Sequence, residues 1–416
     1  MELILEHTDD EIKPLTDKEI FQEKKIKKKK ETTGRQPIDR YFKSTDDDDK
    51  TFRIDYPNYF IWKNENELPY FTNEITDDIR IVSDTAWKET QKTLYIGASL
   101  SIRQKFITKT NELSKYQEEL MTYIELTPSP DKKVTEKDQL IKVINLLKSN
   151  MQKAIRRQDA NKALKSAFGL CVLDQQQLVR RLPICMIEDV YTNKQLLTLV
   201  WLMVAVSKSG YLTKHAVSWL LGVVNDLCLN DKRETIMTDL TGSQNIQFLN
   251  VLKSKHTNSN LEELITKNKI DVLWAYQLRK SFGGLGGDQR MLDYYTLLWL
   301  DRIMHKTQRL ANRVIELVEI NDELLPHKDD ILIESVDFHC TNIDFKICQK
   351  FTNYDAEEVR GAIWHYRSKI NNRESINGVM SDKESIEEMK YKTVWNNIKD
   401  YTDKWAAKYI ALMIKA

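Results

Sequence analysis

The sequence predicts a mainly α-helical protein: a multi-helix globular domain behind a disordered N-terminal tail, with a small mixed α+β subdomain between them. Three observations predict it. Glycine and proline are sparse, 12 and 8 among 416 residues, which argues against sandwiches, barrels and glycine-rich nucleotide folds. Apolar residues recur at three- and four-residue spacing through most of the chain after residue 131. Several of those runs follow a Thr or Asp with an acid three residues later, the pattern of a capping box.

Composition bounds the function classes. Hydrophobic residues make up 41%, enough for a large core and too many for a disordered chain. Lys+Arg is 63 and Asp+Glu is 62, so the net charge of +1 excludes a protein that is basic throughout, as histones are, or an acidic solvating one. A local basic stripe is compatible with a neutral total. Five cysteines (Cys171, Cys185, Cys228, Cys340, Cys348) form no CxxC pair, which reads as reduced, mostly buried thiols. The start, MELILEHTDDEIK, lacks the basic and apolar regions of a secretory signal. The longest apolar run, 196–206, is far short of a bilayer span and reads as a buried helix, so no membrane contact is expected.

Residues 1–50 carry a lysine run, EKKIKKKKE, and an acidic run, DDDD at 46–49, with one apolar-aromatic island between them. Like-charge blocks with little apolar content cannot offset the entropy of folding, so this segment is expected to be a disordered tail. Residues 51–127 form the mixed subdomain. FRIDYPNYFIW, DDIRIVSD and KTLYIG are strand candidates, and a helix is expected from about Leu100 with Phe106, Leu113, Tyr116, Leu120 and Ile124 on one face. TPSP at 127–130 punctuates the chain.

The helical domain covers 131–416. Thr135 with Asp138 opens its first helix, which carries Ile141, Ile144, Leu147, Met151, Ala154 and Ile155. Two helices are expected over about 162–181, then the apolar run. Thr213 caps a helix with Val217, Leu220, Leu221, Val224 and Cys228 on one face. Asp288 is placed to cap MLDYYTLLWLDRIMHK, and Thr341 with Asp344 and Asp355 with Glu358 are further capping boxes. A helix follows with Val359, Ile363, Tyr366 and Ile370 as its buried face. The last helix, from about 386, shows Tyr391, Val394, Ile398, Tyr401, Trp405, Tyr409 and Leu412 at helical spacing.

The sharpest short motif is RQPIDRYF, 35–42. Ile38, Tyr41 and Phe42 have the relative spacing that lets one 3₁₀ turn present an aliphatic and an aromatic side chain as a plug for a hydrophobic groove, and Pro37 suits the start of a turn. The segment resembles a PCNA-interacting peptide. The usual glutamine position is Arg35, with Gln36 one residue late, which loses the glutamine's hydrogen bonds. The resemblance implies a sliding clamp as partner, with flanking basic residues steering the tail to an acidic surface. The bland reading is a hydrophobic tail segment that docks on its own domain. Lys27, Lys28, Lys29 and Lys30 suit nuclear import or phosphate contacts, or are a solvated charge run.

The stretch AIRRQDANKALKSAFGLCVLDQQQLVRRLPICMIEDV, 154–190, resembles the helical region behind the ATPase domain in the clamp-loader-related AAA+ family of RarA and the Werner-helicase-interacting proteins. The matching positions are Ile155, Arg156 and Arg157, then Ala163, Leu164 and Ala167, then Arg180, Arg181 and Leu182, then Glu188, Asp189 and Val190. They cover under a tenth of the chain. No GxxxxGK[ST] loop is present, so the resemblance implies a helical scaffold of replication-repair type without ATP hydrolysis. The residues alone suggest an ion-pair network in which Arg157, Arg180 and Arg181 meet Glu188 and Asp189 across a helical hairpin.

SFGGLGGDQRML, 281–292, holds four glycines ahead of a helix, which suits either an anion-binding nest flanked by Arg279, Lys280 and Arg290 or a tight turn. Arg367 and Arg373, among Trp364, His365 and Tyr366, add candidate nucleic-acid contacts to Arg156, Arg157, Arg180 and Arg181. Asp337, His339 and Cys340 lack a second ligand pair, and no catalytic triad, cofactor motif or metal site is expected. The sequence thus points to a non-catalytic DNA replication or repair accessory, nuclear or at a viral replication site, with a sliding clamp and DNA as partners. A metal-dependent nuclease using Glu188, Asp189, Asp288, Asp337 and His339, and a helical assembly protein, are the competing readings.

Overall fold

The computed structural model describes residues 59–62, 66–74, 97–99, 106–124, 135–207, 210–234, 265, 270–284, 286–336, 347, 350–375 and 386–414. The lysine run, the segment Arg35 to Phe42, the acidic run, DDIRIVSD, TPSP, the Asp337–Cys340 group and the Thr341/Asp344 pair lie outside them. Among the described residues ten α-helices carry the architecture and every strand is two or three residues long, so the protein is mainly helical.

β1 (Tyr59–Ile61) pairs antiparallel with β2 (Tyr70–Thr72) and parallel with β3 (Gly97–Ser99). Aromatic packing fixes this small sheet on the helices. Phe60 stacks on Phe71 at 4.0 Å, Trp62 stacks on Phe106 at 4.0 Å, and Trp62 meets Trp201 edge-on at 5.2 Å. The Trp201 indole N–H donates to the Phe60 carbonyl at 3.2 Å, which removes a buried polar cost.

The helix expected from about Leu100 does not run unbroken to Ile124, and residues 100–105 lie outside the described residues. β4 (Ile107–Thr108) pairs with β5 (Tyr211–Leu212), and α1 spans Ser114–Tyr123. The Asn111 side chain accepts the Leu113 N–H at 3.1 Å and holds a turn before the helix. Phe106, Leu113, Tyr116, Leu120 and Ile124 are all buried, Phe106 from a helical residue just before β4 and the others from α1 and its two flanks, rather than from one helical face.

α2 (Glu136–Arg156) begins at the expected box: Thr135 accepts the Asp138 N–H, and Asp138 accepts the Thr135 N–H at 3.0 Å. Gln158, at φ 59°, turns the chain, and Asp159 then caps α3 (Ala160–Leu173) by accepting the Lys162 N–H. Asp174 caps α4 (Gln175–Asp189). The apolar run is α5 (Gln195–Val206), buried on all sides between α4 and α7 (Asp271–Ser281). No helix among the described residues is long and apolar enough to cross a membrane. Thr213 caps α6 (Lys214–Leu229), whose expected face is buried.

α7 and α8 (Gly286–Met304) form a hairpin through a tight turn in which Gly283 takes φ 77°. Asp288 lies inside the first turn of α8 rather than at its cap, because the helix begins at Gly286. Residues 308–321 then cross α6 without regular secondary structure. There the Val318 N–H donates to the Ser218 carbonyl at 3.2 Å and Arg313 binds Asp226 at 3.0 Å. A Cβ on Gly222 would lie 2.1 Å from the Glu316 carbonyl oxygen, so this crossing needs glycine.

The Asp355/Glu358 box opens α9 (Ala356–Ile363). The chain then widens into a π turn, Trp364–Ser368, closed by the Lys369 N–H on the Trp364 carbonyl at 2.9 Å. The extra residue shifts the register, so Ile370, expected on the buried face, is 40% exposed. α10 (Ile386–Met413) packs on α9, with Tyr391, Val394, Ile398 and Trp405 buried and Leu412 exposed. One cluster of buried apolar side chains extends from Phe60 to Ile414 and joins the sheet to the helices.

Candidate functional site

The nine basic side chains expected to touch nucleic acid sort into two groups. Arg156, Arg157, Arg367 and Arg373 gather where α2, α4 and α6 end, and they are bound inward. Arg156 is 4% exposed. Its Nε donates to Asp189 at 2.5 Å, its Nη2 to Glu188 at 3.0 Å and its Nη1 to the Ser368 carbonyl at 3.0 Å. Burial opposes its charge, and Asp189 and Glu188 outweigh that, so its pKa is raised. Asp189 also accepts from Gln152 at 2.7 Å; burial pushes its carboxyl up to about 6, with Arg156 opposing and Glu188 adding.

Arg157 reaches the other way. It donates to the Arg367 carbonyl at 2.8 Å and pairs with Glu334 at 3.4 Å. Arg373 donates to the carbonyls of Ile155 at 2.6 Å and Asn230 at 2.9 Å and to that of Leu227, at the C-terminal ends of α2 and α6. Arg367 is 3% exposed and donates to the Ile333 carbonyl. The expected ion-pair network therefore exists, but Arg156 is its cation. Arg157 pairs elsewhere, and Arg180 lies in the second group. Arg156, Arg367 and Arg373, expected as surface contacts, are interior clasps.

The second group belongs to α4 and the two arms of the α7–α8 hairpin and is half-exposed except for Arg279. Arg180 and Arg181 come from α4, Arg279 and Lys280 from the last turn of α7, and Arg290 from α8. Arg180 donates to the Phe282 carbonyl at 2.7 Å. Arg279 is buried and donates to the carbonyls of Arg180 at 2.9 Å and Gly283 at 2.8 Å, which ties the glycine turn to α4. Burial pushes the Arg279 pKa down to about 10; Asp288 opposes this, and the charges of Arg180 and Arg181 add to it. Lys148 of α2 completes the cluster. Its amine donates to Gln177 at 2.9 Å and its pKa is lowered by burial, then by Arg181 and Arg180, against Asp174. Lys280 is held by Asp293 at 2.7 Å. Burial thus lowers the pKa of Lys148 and Arg279 first, and the neighbouring charges of Arg180 and Arg181 add to it in both.

The glycine turn itself works as a hairpin turn. Asp288 folds back toward Gly284, where a Cβ would lie 3.2 Å from its carboxylate, so the first turn of α8 already faces an acid. Lys148 was missed in the sequence because it sits in a long amphipathic helix, and only the packing of α2 on α4 brings it to Arg181.

Glu188 and Asp189 are bound in the Arg156 network and Asp288 in a helix turn, while Asp337 and His339 lie outside the described residues. Among the described residues no group of three His, Cys, Asp or Glu side chains is placed to hold a metal. Cys171, Cys185 and Cys228 are buried, and burial pushes their thiols up, Cys228 to about 12. The tail residues Lys27–Lys30, Arg35, Gln36, Ile38, Tyr41 and Phe42 lie outside the described residues. No family model, curated protein or solved structure matches the chain.

Proposed function

We propose that the chain is a non-catalytic DNA replication or repair accessory protein, tethered to a sliding clamp through Ile38, Tyr41 and Phe42, whose helical domain contacts the DNA phosphate backbone. The observation that carries the DNA contact is the cluster of half-exposed cations Lys148, Arg180 and Arg181 beside the α7–α8 turn. Phosphate contacts need several cations gathered on one surface. Arg180 and Lys148 also use carbonyl and amide partners, which fix a side chain and leave its charge in place. The tail motif and the lysine run at 27–30 support recruitment to clamp-loaded DNA in a nucleus or viral replication site.

The test is a titration of a peptide covering 30–46 against a sliding clamp, beside a Tyr41→Ala/Phe42→Ala peptide. Saturable binding lost in the double variant supports the tether, and no binding at high micromolar clamp overturns it. Duplex binding by the full chain tests the helical domain separately.

A further inference from the structure

The lysines of the helical domain differ in what holds their amines. Lys162 is paired with Asp159 at 3.1 Å, Lys165 with Asp330 at 3.0 Å and Lys280 with Asp293 at 2.7 Å. A carboxylate partner keeps an amine protonated, with no lone pair to donate. Lys148 is held by a neutral group instead. Its Nζ donates to the Gln177 side-chain oxygen at 2.9 Å, and among the described residues no carboxylate pairs with it. Lys153 also meets a neutral acceptor, the Ser368 carbonyl at 2.8 Å, but it is fully buried and no reagent reaches it. Lys148 is half-exposed. Its bond to Gln177 sets it beside two cations, because Arg180 and Arg181 follow Gln177 by three and four residues on α4, about 5–6 Å along the same face. Burial lowers the Lys148 pKa first; Arg181 and Arg180 add to this, against Asp174. A half-buried amine next to other cations is the arrangement that makes a lysine nucleophilic near neutral pH.

We propose, resting on the DNA reading of this cluster, that Lys148 captures an aldehyde standing beside a phosphate as a Schiff base, while Arg180 and Arg181 hold the phosphate. In DNA that chemistry belongs to an abasic nucleotide, whose ring-opened sugar carries an aldehyde between two phosphates. The lone pair of Lys148 Nζ bonds to the carbonyl carbon as the carbon–oxygen π bond breaks, and one amine proton passes to that oxygen. The second amine proton then leaves with the hydroxyl as one water, and the C=N bond forms. No oxidant or reductant is consumed, and water reverses the step. Gln177 accepts one N–H of the amine, which leaves the lone pair pointing away from that contact. Arg180 spends one guanidinium N–H on the Phe282 carbonyl and has further donors for phosphate oxygens. Reversible capture without turnover suits an accessory protein that marks damaged DNA.

The experiment incubates the full chain with a duplex carrying one abasic site and with cyanoborohydride, which reduces a Schiff base to a permanent link. Peptide mass spectrometry locates the link, and anisotropy follows duplex binding. An intact duplex and pyridoxal phosphate, a free aldehyde with its own phosphate, are run beside it. A link at Lys148 is expected from the abasic duplex and none from the intact one. Lys148→Arg keeps the cation and cannot form the link, so the yield per bound duplex should fall about tenfold or more. Lys162→Arg, which replaces a carboxylate-paired amine, should trap as the unmodified chain does. Arg180→Ala/Arg181→Ala should move the pH of half-maximal trapping upward, since two charges that disfavour the protonated amine are gone, a shift that a merely structural lysine would not show. Links at other lysines only, or an unchanged yield in Lys148→Arg, overturn the proposal. Binding of both duplexes without a link at Lys148 overturns it too and leaves the DNA reading standing. Labelling of Lys148 by pyridoxal phosphate without duplex binding supports the amine site with a small phosphorylated aldehyde as its source and removes the DNA reading alone.

Discussion

Replacing Arg156 by methionine tests whether the α2–α4 network is structural. The guanidinium makes three bonds, to Asp189 at 2.5 Å, Glu188 at 3.0 Å and the Ser368 carbonyl at 3.0 Å. Glu188 is 30% exposed and can hydrate, whereas the Asp189 side chain is 3% exposed and keeps Gln152 as a donor. The variant thus leaves one buried carboxylate without its cation, which costs about 3–5 kcal/mol. The pH dependence gives a second reading. The Asp189 carboxyl stands at about 6 in the folded protein against an ordinary 3.8, so the folded state favours its protonated form. Its contribution is present below pH 3.8 and is lost as pH rises through about 6, a span on the order of 3 kcal/mol. Without Arg156 the carboxyl moves higher still. The destabilisation should therefore be largest near pH 7.5 and smaller by about 1–2 kcal/mol at pH 5. Urea unfolding followed by circular dichroism at the two pH values measures both. A loss below about 1 kcal/mol, or one identical at both pH values, refutes the reasoning.

Three further outcomes follow from the same geometry. Arg180→Ala/Arg181→Ala should lower the slope of log K against log salt for duplex binding by about 1.8, whereas Arg156→Met should leave it unchanged; fluorescence anisotropy between 50 and 200 mM salt reads both, and equal effects would remove the cluster as the interface. Gly222→Ala places a Cβ 2.1 Å from the Glu316 carbonyl oxygen and 2.7 Å from Ile315 Cγ2, so the 308–321 segment must lift. The expected cost is about 1–3 kcal/mol with faster tryptic cleavage at Arg309 and Arg313, and an unchanged melting temperature with unchanged cleavage contradicts it. Asp355→Ala removes the N-cap of α9 and should cost about 1 kcal/mol in urea unfolding, and a neutral result would mean the box does not hold that helix.

The parts of the fold that were legible in the sequence are those set by neighbours a few residues apart. Thr135, Thr213 and Asp355 cap helices because an acceptor side chain beside the first free N–H groups is a local matter. The all-round apolar α5 was equally readable, since no face of it tolerates water. The errors arose where distant backbone claimed a segment. Ile107 pairs with Leu212, which interrupts the helix expected through Ile124, and the π turn moves Ile370 out of the face that a 3.6-residue period assigns to it. Gly222 carried no local signal, because its reason is a segment more than ninety residues downstream.

The arginines show why the candidate site was only half readable. Arg156 and Arg157 are adjacent and chemically identical, and the resemblance to a basic pair treats them alike. On a helix they point about 100° apart, and that angle sends one into Asp189 and the other to Glu334 on a separate segment. An arginine becomes a clasp where carbonyls or carboxylates converge on it, and a ligand for an outside anion where other cations do. Arg373 meets three carbonyls at the ends of α2 and α6, so its charge is used within the fold. Arg181 adds to the lowering of the Lys148 and Arg279 pKa values, so its nearest resolved charges are cations. Neither partner set is adjacent in sequence, and charge counting assigns both residues the same role. The discriminating quantity is the sign of the surrounding charge, which salt-dependent binding and pH-dependent stability measure independently.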